Sequence, residues 1–411
     1  MKNLKFLAVA FVAMLGFTAC EKDCGHDFIE YDHSKDLVGT WTCLTPDFAE
    51  ALVINADGSL LSTGLAAGEY WENVAGNVVV ENGNITLTFE DDDNFKGHFD
   101  IIPGVAFSIY NDKGGHLVFN YCANDLSDEI VGMWVCNDAP AGADNDMAII
   151  SYANDGSTTF TGILPNKDGY MLNVNTTYNV VGDLMFKKNA VQGTSDSPKY
   201  ISTRLTYAPN GTAAGDIMVY KHYNGTVETS SSYLRIKQNL ELPGKKYDYI
   251  KTFVSNVKGL DKDINFMGFE FNFAKMDGVK LDKMLKTLLF AVEFPTADSI
   301  KYSCHYNGEY MALTAPIAVD GNKMTVKMSD KDAAYKDVDL YTFQDADCSQ
   351  MHMYMPTYAF INFFGNMQAT IMSQMGQLDL TNAEAVKAVF DSIDEAVETI
   401  NVSFVMEKAA K

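Results

Sequence analysis

An octet occurs twice in this chain. Asp36-Leu37-Val38-Gly39-Thr40-Trp41-Thr42-Cys43 aligns without a gap on Glu129-Ile130-Val131-Gly132-Met133-Trp134-Val135-Cys136, 93 positions later. The whole protein has three Trp, and two of them occupy the same place in the two copies, which points to duplication. Each octet leads into a strand, turn, strand pattern: Ala51 to Asn55, Asp57-Gly58, Ser59 to Thr63; then Ala148 to Tyr152, Asn154-Asp155-Gly156, Ser157 to Thr161. Asp-Gly supplies the positive φ angles of a tight hairpin.

Short β-branched and aromatic runs then recur between turn signals. They are Asn77 to Glu81, Ile85 to Glu90, Gly104 to Tyr110 and His116 to Tyr121, and in the second unit Tyr178 to Val181, Ile201 to Tyr207, Asp216 to Tyr223 and Ser232 to Gln238. Units of this length accommodate about eight short strands, enough to close an up-and-down barrel. We therefore expect a mainly β protein with units over 36–125 and 126–241.

Gly39-x-Trp41 and Gly132-x-Trp134 at the start of a β-meander resemble the Gly-x-Trp signature of lipocalins and the wider calycin group. The resemblance implies antiparallel barrels in tandem, with each Trp as a core plug and an Arg of the last strand stacked on it. Arg235 is placed to serve Trp134, whereas no such partner is evident for Trp41. The style of the chain is similar to uncharacterised lipocalin-like lipoproteins of gut Bacteroidota.

Leu242-Pro243-Gly244 breaks the pattern and opens a third region, 245–411, which holds 13 of the 20 Met. Alternating faces place Met267, Phe269, Phe271 and Phe273 together in a strand Asn265 to Phe273. The same rule groups Met324 with Met328, Met351 with Met353 and Met355, and Phe404 with its alternating neighbours Val402 and Met406. A short helix is expected over Lys280 to Leu289. A longer one starts at Thr381, with Glu384 completing a capping box and Val386, Val389, Ile393, Val397 and Ile400 on one face. A helix followed by a last strand, Asn401 to Glu407, resembles the lipocalin order, so a third, larger calycin-like barrel is expected. Because Met adapts to varied apolar shapes, its Phe/Met interior is the candidate site for a small hydrophobic ligand.

The N-terminus reads as an address. Lys2 and Lys5 precede an apolar run from Phe6 to Phe17, the pattern of a secretory signal over 1–19. Phe17-Thr18-Ala19-Cys20 resembles a lipoprotein cleavage box, which implies a covalent lipid on Cys20, and 20–35 reads as a flexible tether. Cys20-Glu21-Lys22-Asp23 is similar to export signals that imply the outer membrane and the cell surface, with a periplasm-facing anchor as the alternative. The other cysteines, Cys24, Cys43, Cys122, Cys136, Cys304 and Cys348, would meet an oxidising compartment. Cys43 with Cys122 or Cys304 with Cys348 could pair, and the sequence does not fix connectivity.

Loss of Lys2 and Lys5 takes the formal charge from −23 to −25, an acidity that argues against nucleic acid as a partner. Nucleophile elbows, zinc-protease helices and phosphate loops are all absent from the sequence, so no enzyme, cofactor or metal is expected. Cys24, His26 and His33 match no zinc module, and Met351-His352-Met353 splits its donors between two strand faces. The acidic runs Asp91-Asp92-Asp93 and Asp144-Asn145-Asp146 read as hairpin loops. The leading expectation is a lipid-anchored, ligand-holding envelope protein. The competing one is an adhesin or accessory subunit of an outer-membrane complex, built of solid-core β domains.

Overall fold

A computed structural model describes residues 33–410 apart from 91–93, 112–113, 137–147, 164–170, 189–198, 210–215, 225, 262, 267–268, 276–277, 307 and 329–334. The signal, Cys20, most of the tether and both acidic runs in full or large part lie outside the described residues.

Three closed antiparallel barrels of eight strands follow one another along the chain. The first runs from Gly39–Thr45 to His116–Cys122, and its first and last strands pair to close it. The second runs from Gly132–Cys136 to Val227–Ile236 and closes the same way. The tandem lipocalin-like architecture expected from the octets is the observed one. Even fine detail is repeated. Asp57 accepts a hydrogen bond from the Ser59 backbone N–H at 2.9 Å and Asp155 accepts one from Ser157 at 2.9 Å, with Gly58 and Gly156 at φ 82° and 77°.

Two barrel strands carry weak sequence signals, Asn94–Ile102 and Leu184–Lys188. The first mixes Lys96, Gly97, His98 and Asp100 into an otherwise apolar run, and the second is only five residues long.

The two Gly-x-Trp motifs have one geometry. Trp41 and Trp134 are fully buried, and their indole N–H groups donate to the carbonyls of Leu37 and Ile130, both at 2.7 Å. Gly39 and Gly132 sit at φ 135° and 133°. A Cβ on Gly132 would lie 2.8 Å from the Arg235 guanidinium, and one on Gly39 would lie 2.7 Å from the Tyr121 ring. Only glycine lets the closing strand reach over the Trp. Arg235 lies 4.4 Å from the Trp134 ring and donates to the carbonyls of Val131 at 2.7 Å and of Glu129. The first barrel has a matching partner after all: Tyr121 meets Trp41 edge-on at 5.0 Å.

The third barrel joins Lys245–Gly259, Ala291–Thr296, Ser299–Tyr306, Glu309–Asp320, Lys323–Val326, Val338–Gln344, Gln350–Met355 and Val397–Lys408. Helix α1, Gly278–Thr287, lies between its first two strands, and α2, Thr357–Gln374, and α3, Ala383–Ala396, precede the last. The cap of α3 is Asn382, whose side-chain oxygen accepts from the Ala385 N–H at 3.1 Å, and not Thr381, whose hydroxyl donates to Asp379 at 2.8 Å. An Asx cap one residue later satisfies the same orphan amide.

The expected wall strand Asn265 to Phe273 does not exist. Asp263–Phe266 and Phe269–Asn272 form a separate two-stranded hairpin, in register Phe266 opposite Phe269.

Cys43, Cys122, Cys304 and Cys348 are free thiols, so neither candidate disulfide is present. Cys43 belongs to the core of the first barrel, whereas the Cys122 thiol donates to the Asn124 carbonyl at 3.0 Å. Cys304 lines the interior of the third barrel while Cys348 sits in a turn beside Glu241, 3.6 Å from its carboxylate. Burial pushes the Cys43 thiol up to about 12, which keeps it unreactive.

Candidate functional site in the third barrel

The inward faces of the third barrel do not fill it. A cavity of about 310 Å³ remains, walled by Val326, Val338, Leu340, Met353, Met355, Val402 and Phe404 from the strands. Period-2 alternation explains the wall, because each strand sends every second side chain inward. Met353 and Met355 face the cavity, whereas Tyr354 on the same strand packs outward against Val135 and Leu234 of the second barrel.

Helix α2 supplies the rest of the enclosure. Its 18 residues include no charged side chain, and Phe360, Phe363, Phe364 and Met367 line the cavity. Their spacing of three, one and three residues is a single helical face. The helix is pinned at its start by Thr357, whose hydroxyl donates to the Ile400 carbonyl at 2.8 Å and accepts from the Ile400 N–H at 3.0 Å. Along its length, Gly365 lies so close to Phe390 of α3 that a Cβ would fall 2.3 Å from the ring. From the other side α1 contributes Leu281 and Leu285. It is held by Asp282, which accepts from the Tyr249 hydroxyl at 2.7 Å and the Thr252 N–H at 3.2 Å.

The electrostatics are simple. Among the described lining residues none is Asp, Glu, Lys, Arg or His. The one amide, Asn366, is spent on the backbone of Lys336, donating at 2.7 Å and accepting at 3.0 Å. Burial raises the Tyr302 phenol and the Cys304 thiol, so both remain neutral at physiological pH. The arrangement therefore solvates hydrocarbon and has nothing to offer a charged group. At its edge Met311 and Leu313 line the cavity and are also 44% and 54% exposed, with Tyr310 beside them at 57%. This apolar lip is where the interior meets water.

Of the residues singled out in sequence, Met328, Met353, Met355 and Phe404 line the cavity. Met324 and Met351 are fully buried in the same core without reaching it. Met267 lies outside the described residues, and the backbones of Phe269 and Phe271 belong to the separate hairpin and that of Phe273 to the short helix after it, none of them in a strand of the barrel wall. The α2 side chains are the functional-site residues that sequence reading missed, although their helical spacing was visible. Among the described residues no cluster of three metal-ligating side chains occurs. None of the described helices is long and apolar enough to cross a membrane.

No family model and no curated protein matches the chain. Among solved structures it is similar to two crystal structures of the vaccine antigen transferrin binding protein B from Haemophilus parasuis, a double mutant and a single mutant. Identity is 12% and 13% and the TM-scores are 0.24 and 0.22. Both alignments cover 89% of this chain, which spans 66% of the length of those structures.

Proposed function

We propose that this protein is a lipid-anchored, non-enzymatic envelope protein that holds a small neutral apolar molecule in its third barrel. The observation that carries the reading is the cavity of about 310 Å³ with an uncharged lining. That volume is at the lower end of ligand pockets, so the ligand is a short hydrocarbon chain or compact ring system. Flexible Met side chains let one cavity accept several such shapes. The lip of Met311 and Leu313 gives an apolar molecule a path from solvent or from a membrane surface. Cys20 carries the anchor at the outer membrane, with the acidic barrels outward on the cell surface.

The ligand claim is tested with a neutral solvatochromic dye, Nile red, and by native mass spectrometry of protein from its natural host. Dye fluorescence should rise on binding, and Met353→Trp or Phe404→Trp, which narrow the cavity, should weaken the rise. A clean apo mass together with no dye response overturns the reading. For the anchor, labelled palmitate should enter the wild-type chain in its host and be absent from Cys20→Ser.

A further inference from the structure

A second cavity, of about 590 Å³, lies where the interior of the second barrel meets two hairpin turns of the first, around Asp47 and Ala67. Its chemistry differs from that of the third barrel. In the strand Leu184–Lys188, Leu184 and Phe186 face outward and pack on Ala49 and Ala51 of the first barrel. Alternation therefore turns Met185 and Lys187 inward. Lys187 is 9% exposed and its ammonium lies 5.7 Å from the centre of the Tyr152 ring. Among the described residues it has no carboxylate and no hydrogen-bond partner.

The other charged or titratable side chains at the cavity do not compensate this cation. Asp47 is an exposed rim residue on the first barrel. The His222 ring shares a hydrogen bond of 2.9 Å with the Thr229 hydroxyl and is held neutral by burial. Tyr152 and Tyr220 are buried beside each other, their hydroxyl oxygens closed off from solvent and near enough to interact with one another. Buried polar groups without partners are costly, and a buried unpaired charge more so. One ammonium at the cavity wall with no carboxylate beside it forms a receptor for a single anionic head. The walls around it, Phe160, Met185 and Tyr233, call for an apolar or aromatic body.

We infer that this cavity binds an organic monocarboxylate with an aromatic or alicyclic body, its carboxylate paired with Lys187. A single lysine matches a single negative charge, which favours a carboxylate over a dianionic phosphate. The site needs both barrels, since the first supplies part of the wall. It is distinct from the uncharged cavity of the third barrel in place and in ligand class.

Titration calorimetry of the three-barrel protein with 2-naphthoate and with its neutral isostere 2-naphthamide, at pH 6.5, decides the matter. The acid should bind at least tenfold more tightly than the amide. Lys187→Met and Lys187→Gln should each remove that preference. Met353→Trp, which alters only the third-barrel cavity, should leave naphthoate binding unchanged. Circular dichroism of both Lys187 variants establishes that they are folded. The inference is overturned by equal affinities for acid and amide, by no binding of the acid at millimolar concentration, or by an acid preference that survives in a folded Lys187 variant. Loss of naphthoate binding in Met353→Trp but not in the Lys187 variants likewise overturns it.

Discussion

Tyr121 stands in register opposite Trp41 in the first barrel, where Arg235 stands opposite Trp134 in the second. The two closing residues differ in chemistry and share one task. Each caps a buried Trp from the last strand, across a glycine whose missing Cβ makes room. An aromatic edge at 5.0 Å and a guanidinium at 4.4 Å are alternative ways of covering an indole face.

Removing the arginine cap should cost more than removing the tyrosine. Arg235 also donates to two carbonyls and lies 3.2 Å from Asp216. Arg235→Ala is expected to destabilise the second barrel by about 2 to 4 kcal/mol, through lost cation–π contact and orphaned carbonyls. Tyr121→Ala, at an exposed edge of the barrel, should cost about 1 kcal/mol. Urea unfolding followed by Trp fluorescence measures both.

Two buried ionisable groups should give opposite pH dependences. Burial pushes the Glu50 carboxyl up to about 7; Ser62 donates to one of its oxygens at 2.6 Å and the other has no partner. Between an unfolded value of about 4.3 and that folded value the native state holds the extra proton, so stability falls as pH rises through the window. Glu50→Gln should therefore stabilise by about 2 to 3 kcal/mol at pH 8 and by little at pH 4. Lys187 is lowered to about 8 by burial. Here the unfolded chain holds the extra proton, and stability rises with pH from about 8 toward 10.4. Lys187→Met should stabilise the protein by about 2 kcal/mol at pH 7 and by less at pH 9.5. Thermal melts of each variant at both pH values check the signs.

Gly365 lets α2 and α3 approach closely, and any side chain there meets Phe390. Gly365→Ala gains helix propensity of about 1 kcal/mol but forces the two helices apart, with a net loss of about 1 to 2 kcal/mol. Its sharper consequence is on the cavity that α2 closes. Nile red affinity should change in Gly365→Ala while the naphthoate isotherm does not, and an unaltered dye isotherm would show that α2 does not shape the cavity.

Gln344 joins the second and third barrels. Fully buried, it accepts from the Glu241 N–H at 2.6 Å and donates to the Glu241 carbonyl at 2.9 Å and the Tyr247 hydroxyl at 2.8 Å. Its own carbonyl accepts from the Lys237 N–H at 2.8 Å. Gln344→Leu should cost about 2 to 4 kcal/mol by leaving buried backbone groups unpaired. Calorimetry should then show the two barrels unfolding in separate steps.

The barrels were legible because the signals that define them are local and repeated: glycine before Trp, Asp-Gly turns, alternating strands. What failed was any reading in which alternation alone had to choose a partner. Met267 to Phe273 alternates as a wall strand would, yet Phe269–Asn272 pairs with Asp263–Phe266 in a separate hairpin and takes no place in the barrel. Residues Thr357 to Gln374 escaped notice for the opposite reason. A helix without charges, buried on more than one side, shows only a weak contrast between its faces, although Phe360, Phe363, Phe364 and Met367 keep helical spacing. Lys187 was hidden by its type, since lysine on a strand is normally read as outward. Its parity with Met185 was the available clue.

The strand Gln350–Met355 belongs to two interiors at once: Met353 and Met355 serve the third barrel, and Tyr354 serves the cluster shared with Val135, Ile149 and Leu234. Three closed barrels look like three separable modules, and here they are not. Cutting the chain after Leu242 would strip Tyr341, Phe343 and Tyr354 of their cover and leave a sticky apolar face on the fragment. The unit that evolution can shuffle, and that an experimenter can express, is the joined array rather than the single barrel.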